Sequence, residues 1–222
     1  MDLPPLVWYP LVGLSLFGAA WVVAQQAGLT AARLGLDLRR RAFQLLMITG
    51  GPGLGAVQYA LFPLPPLQAG TGGTLLLLGS SILLASFATE LLFRGLLQQT
   101  ALPLMGQRAL LYGAVIFAVL HIGYLSVVIV AFAFIVGLLF AWIVHLSGSL
   151  LGVALVQGTA SITHLLLLPA LIDTVARAAM PPAWVGLLSI LTPGLTVLLL
   201  ALMAVSLGLI LLLLADLCAS SP

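Results

Sequence analysis

Apolar residues fill the chain in long blocks, and most polar positions fall between them. A bilayer core of ~30 Å needs roughly 20 apolar residues per helix. By that ruler the blocks predict seven membrane helices, at about 5–25, 42–62, 74–98, 107–124, 126–146, 149–170 and 184–215. The last block is too long for one ordinary span, and Thr192-Pro193-Gly194 interrupts it. Proline lacks a backbone donor and clashes with the preceding turn. A short interfacial piece followed by one span from Pro193 to Asp216 is the favoured division; two short spans, giving eight helices, are the alternative. The expected fold is an all-α polytopic membrane protein, a single transmembrane domain over 1–222.

Composition agrees with the pattern. Of 222 residues, 63% are hydrophobic and 5% charged, with a mean hydropathy of +1.29. A soluble domain carries about 25% charged residues, so lipid is the solvent for most of this surface. No lysine is present, and seven scattered arginines cannot form the basic face of a nucleic-acid binder. Arg33, Arg39, Arg40 and Arg41 crowd one loop, and Arg108 falls on the same side. The opposite side holds only Arg177, balanced by Asp173. The positive-inside rule then puts the N-terminus outside and the Arg33–Arg41 loop in the cytoplasm. Topology and anionic-lipid contact account for that basic run without a ligand site. The first block starts acidic, at Asp2, and is too long for a signal sequence, so a retained helix is expected. A single cysteine, Cys218, excludes an internal disulfide framework. It lies near a membrane end, where acylation is conceivable but a silent thiol is the simpler reading.

Phe62-Pro63-Leu64-Pro65-Pro66 and the glycines from Gly70 to Gly73 mark a connection between the second and third blocks. Gly50-Gly51-Pro52-Gly53-Leu54-Gly55 superficially resembles a nucleotide-binding glycine run. It has no preceding strand and sits inside an apolar block, which fits a kinked or closely packed helix instead.

Ionisable and amide groups inside a membrane are costly and tend to face the protein interior. Glu90 and Arg94 end the third block, four residues apart with the acid first, the favourable order for an intrahelical pair. His121 comes four residues after Phe117 in the fourth. Gln157, Ser161 and His164 share one face of the sixth by their i, i+4, i+7 spacing. These stripes predict a shared polar cavity. His145 closes the fifth block, where an imidazole can cap free carbonyls.

The same residues carry a resemblance. Thr89-Glu90-Leu91-Leu92-Phe93-Arg94-Gly95, then Phe117-Ala118-Val119-Leu120-His121, then Ser147-Gly148-Ser149-Leu150 leading to Gln157, resemble the CPBP family. This family comprises CAAX prenyl endopeptidases and bacteriocin-processing (ABI-type) intramembrane proteins. The resemblance covers about 85–165, the motif-bearing core, and implies a CPBP-like helical bundle in a bacterial plasma membrane. It also implies intramembrane peptide-bond hydrolysis, either glutamate-dependent or assisted by a divalent metal. The family pattern is Glu-Glu-x-x-x-Arg, Phe-x-x-x-His and His-x-x-x-Asn or Asp.

Here the first Glu position is Thr89 and the last His position is Gln157, with Ser161 at the Asn or Asp position. Glu90, Arg94 and His121 match. Thr89 cannot serve as a base near neutral pH, and Glu90 lies about 100° further around the helix. Gln157 and Ser161, with Arg94 in support, can still donate to an oxyanion. His164 can replace the lost histidine only if the sixth helix shifts along its axis. Three remaining candidate ligands, Glu90, His121 and His164, make a poor zinc site, so no metal or other cofactor is assigned.

The leading expectation is a catalytically degenerate CPBP protein that serves as a membrane subunit or adaptor for a partner protein, met through helix faces. The alternatives are an active endopeptidase using Glu90 and His121, and a small transporter or channel. No inverted repeat or pair of broken helices favours the last.

Overall fold

The computed structural model describes residues 5–37, 41–65 and 72–177. Its elements are helical, with no strand among the described residues. Helix α1 is Pro5–Gln26 and α2 is Arg41–Leu61. Helix α3 runs without a break from Gly72 to Met105, in three pieces: Gly72–Glu90, a π-type turn over Leu91–Leu97, and Gln98–Met105. Helix α4 is Arg108–Val119 and α5 is Val127–Ser147. Helix α6 is also continuous, through Leu151–Ile162, a π-type turn Thr163–Leu167, and Leu168–Arg177. Six of the seven predicted blocks are therefore helices. The seventh, 184–215, lies outside the described residues, as do Cys218 and the Arg39–Arg40 part of the basic loop.

Four of these helices are long and apolar enough to cross a bilayer: Val7–Gln26, Gly72–Met105, Val127–Ser147 and Leu151–Asp173. The protein is an integral membrane protein. The block at 107–124 departs from expectation. Its helix has 12 residues, about 18 Å at 1.5 Å per residue, too short to span. The reason is local. The chain tightens into a 3-10 turn at Ile122–Tyr124, and Leu125 takes a left-handed conformation (φ 53°). Ser126 then starts α5 as its N-cap, its hydroxyl accepting from the Ile129 N–H at 3.4 Å. His121 consequently stands in the turn after α4 rather than inside a span.

The two π-type turns are a second departure from the straight helices that the apolar blocks predict. A π-type turn widens the coil by one residue and often marks a functional segment. One here carries Arg94 and the other His164.

Packing places α3 and α6 side by side, with α1 against α3, α2 against α6 and α4 against α5. The glycine run of α2 explains its close approach. A Cβ at Gly51 would run into Thr159 of α6, and one at Gly55 would lie 2.7 Å from Thr163 Cβ. These two glycines, four apart, let two backbones meet where lipid offers no hydrophobic drive for association. The main apolar core gathers Ala20 and Ala24 of α1, Leu91 and Leu96 of α3, Val136 and Phe140 of α5, and Val153 of α6. Leu34, from the loop after α1, closes it from one side, and the Leu150 N–H bonds the Gly35 carbonyl at 2.9 Å. At the end of α5 the cap is Gly148 (φ 70°), whose N–H bonds the Val144 carbonyl at 2.8 Å. The expected capping role of His145 is therefore taken by glycine, and His145 is exposed.

Candidate functional site

The predicted polar cluster divides into two. The first part is an ion pair buried between helices. Glu90 is 0% and Arg94 2% exposed, with Arg94 Nη1 at 3.1 Å from Glu90 Oε1. The second guanidinium nitrogen donates to the Gly137 carbonyl of α5 at 3.1 Å. One turn further along, Gln98 Nε2 donates to the Ala141 carbonyl at 3.0 Å. Residues 94 and 98 thus meet 137 and 141 as successive rungs, so α3 and α5 run in the same direction. Arg94 also lies 4.6 Å from the Phe117 ring centroid, within cation–π range. Gly137 permits this crowding, because a Cβ there would lie 3.1 Å from the Phe117 ring. A buried charge needs a partner and further hydrogen bonds, and Arg94 has carboxylate, carbonyl and aromatic ring together. Its role is to hold α3, α4 and α5 in place.

The second part is a cavity of about 440 Å³ between α1, α2, α3, the α4–α5 turn and α6. Thr89, His121, Gln157, Ser161 and His164 all line it, and Glu90 and Arg94 do not. Neighbouring positions on α3 therefore face different ways, as the 100° step per residue requires. Thr89 donates its hydroxyl to the Ala85 carbonyl at 2.8 Å, a back-bond common for threonine in helices. His121 donates from Nδ1 to the Phe117 carbonyl at 2.8 Å, and its ring lies 4.8 Å from that of Phe117. His164 donates from Nε2 to the Phe62 carbonyl at 2.9 Å. In each neutral imidazole the other nitrogen keeps its lone pair.

His164 lines the cavity with Gln157 and Ser161, as their shared helix face predicts. The π-type turn that contains it follows directly on the face carrying Gln157 and Ser161. Sequence reasoning missed Gln58 of α2, which lines the same cavity, and Gln98. Both are lone amides inside apolar blocks, the same signal that singled out Gln157. Trp8 and Tyr9 of α1 and Tyr124 after α4 also line it, and no spacing rule ties them to the motifs.

Chemically, the cavity offers imidazoles, amides and hydroxyls with no carboxylate among its lining side chains. A base held within reach of a water is what glutamate-dependent hydrolysis requires, and the one nearby carboxylate is committed to Arg94. A catalytic metal does not fit this donor set either. Among the described residues no three His, Cys, Asp or Glu side chains group together, whereas catalytic zinc takes three protein ligands.

Fold and site together define a helical membrane protein with a buried Glu-Arg pair beside a neutral polar cavity. Residues 71–163 match the family model of the Type II CAAX prenyl endopeptidase Rce1-like proteins. That segment contains Glu90, Arg94, His121, Gln157 and Ser161, and the match agrees with the CPBP resemblance of its motifs. No curated protein and no solved structure matches the chain.

Proposed function

We propose that the protein is a catalytically degenerate member of the CPBP group that serves as a membrane subunit or adaptor for a partner protein. One observation carries this reading: Thr89 faces the cavity while Glu90 faces Arg94. The Glu-Arg pair survives as a structural staple, and the position from which a carboxylate would reach the cavity holds a hydroxyl. With short connections between the described helices, the partner is met largely through helix faces, where small residues permit close approach. Purification in mild detergent from native membranes tests this reading. A defined hetero-complex of fixed stoichiometry is expected, and a monodisperse lone monomer contradicts it.

The name of the matched family points to a second reading, an endopeptidase acting on lipid-modified proteins. His121, with a free ring nitrogen in the cavity, favours it. In that case Glu90 would have to leave Arg94 and turn by about 100° toward the cavity. Cleavage of a membrane peptide that is lost in both Glu90→Gln and His121→Ala would establish this second reading.

A further inference from the structure

The partner reading leaves the unpaired hydrogen-bonding groups of the cavity without a use. Gln58 and Gln157 come from different helices, and each has a buried Oε1 with no hydrogen-bond partner. An unsatisfied buried polar group costs about 1–3 kcal/mol, and in lipid it has no recourse to bulk water. Rotating either amide would leave its N–H groups unpaired in place of its oxygen. Beside them stand the Ser161 hydroxyl and the second ring nitrogens of His121 and His164. Hydroxyls of Tyr9, Ser86, Thr89 and Tyr124 also line the wall, the remaining lining is largely apolar, and among the described residues no Asp, Glu, Lys or Arg lines it.

That lining selects among membrane ligands. A phosphate or carboxylate headgroup would enter a low-dielectric site without a cation, since Arg94 lies outside the cavity. A bare hydrocarbon chain would leave the amides unpaired. A hydroxyl both donates and accepts, so a headgroup bearing several hydroxyls satisfies amide, imidazole and serine together. The exposed lining residues stand at helix ends: Trp8 in the first turn of α1, Leu64 in the connection after α2 and Tyr124 in the turn after α4, the level of a spanning bundle at which lipid headgroups lie. The volume, about 440 Å³, lies in the range of small-ligand pockets and suits a headgroup with its acyl chains left outside.

We infer that this cavity binds the uncharged, hydroxyl-bearing headgroup of a membrane lipid, of the glycerol or monosaccharide class. The inference goes beyond the partner reading and rests on the cavity alone.

Native mass spectrometry of the detergent-solubilised full chain tests it. The probes are monoglucosyl diacylglycerol, phosphatidic acid with the same acyl chains, and free methyl glucoside. The glucosyl lipid is expected to bind one per chain, about tenfold or more tighter than phosphatidic acid, as one or two well-made hydrogen bonds allow. Free methyl glucoside is expected to bind far more weakly, since it lacks the acyl chains that hold the headgroup at the mouth of the cavity. Gln157→Leu and Gln58→Leu should each weaken the glucosyl lipid about tenfold, while His145→Ala, away from the cavity, should not. Equal binding of the two lipids, or retention of glucosyl-lipid affinity in both Leu variants, overturns the inference. The wild-type ranking stands as a test even if the Leu variants do not fold. Binding is read apart from cleavage and complex formation, so its failure leaves the proposed function untouched, and the reverse holds too.

Discussion

At the scale of single residues, Glu90 and Arg94 decide the chemistry by where they point. Their pair offsets two charges that lipid would otherwise penalise heavily, with Glu90 Oε1 on Arg94 and Oε2 buried without a hydrogen-bond partner. Removing one partner leaves the other buried and uncompensated, at a cost of roughly 3–5 kcal/mol. Arg94→Met is therefore expected to lower the detergent melting temperature sharply. The double variant Glu90→Leu/Arg94→Met should recover a good part of that loss, because apolar replacement of a whole buried pair is often near neutral. A double variant no more stable than Arg94→Met would contradict the staple role. Recovery will be incomplete, since Arg94 also bonds the Gly137 carbonyl and stacks on Phe117. The pairing of residues 90 and 94 was legible in the sequence, because i, i+4 spacing with the acid first has one natural outcome. The separation of Thr89 from Glu90 followed from helical geometry as well. What lay beyond reach was the far side of each contact. No local pattern says that Arg94 finds the Gly137 carbonyl or that Gln98 finds that of Ala141.

At the scale of elements, the glycines of α2 and the π-type turns of α3 and α6 set the bundle. Gly55 faces α6 so closely that a Cβ would lie 2.7 Å from Thr163 Cβ. Gly55→Val is expected to destabilise by about 1–3 kcal/mol through overpacking. A melting temperature equal to wild type would show that α2 and α6 do not approach as described. Gly53, two residues from both Gly51 and Gly55 and on another side of the helix, has nothing within 4 Å of an added Cβ and should accept Val with a smaller loss. Apolar blocks placed the six described helices well, because hydrophobic length is a direct readout of bilayer thickness. They overestimated α4, since Leu120 and Ile122 continue its apolar block up to Tyr124 and conceal the turn in which His121 sits. They also missed the π-type turns, which change hydrogen-bond register without changing hydropathy and so leave the apolar pattern intact. The turn in α6 contains His164, which lines the cavity with Gln157 and Ser161 as their shared helical face predicts.

At the scale of the whole molecule, the expected single polar cavity became two centres with different roles. The staple joins α3, α4 and α5, and the cavity opens among α1, α2, α3 and α6 with Phe117, the α4–α5 turn and the first half of α5 closing it. Orientation in the membrane belongs to this scale too. The arginines of the loop after α1 predict a cytoplasmic location by the positive-inside rule. In a Cys218→Ser background, Arg33→Cys should react with a membrane-impermeant thiol reagent only after permeabilisation of intact cells. Labelling of intact cells would reverse the topology.

The central claim is that, among the described residues, the one carboxylate beside the cavity, Glu90, is held away from it by Arg94. Cleavage of a transmembrane peptide in proteoliposomes, by wild type, Glu90→Gln and His121→Ala in parallel, addresses it most directly. All three are expected to release no more product than protein-free vesicles. Product from the wild type that disappears in Glu90→Gln would contradict the account, because it would mean that Glu90 reaches the reacting bond.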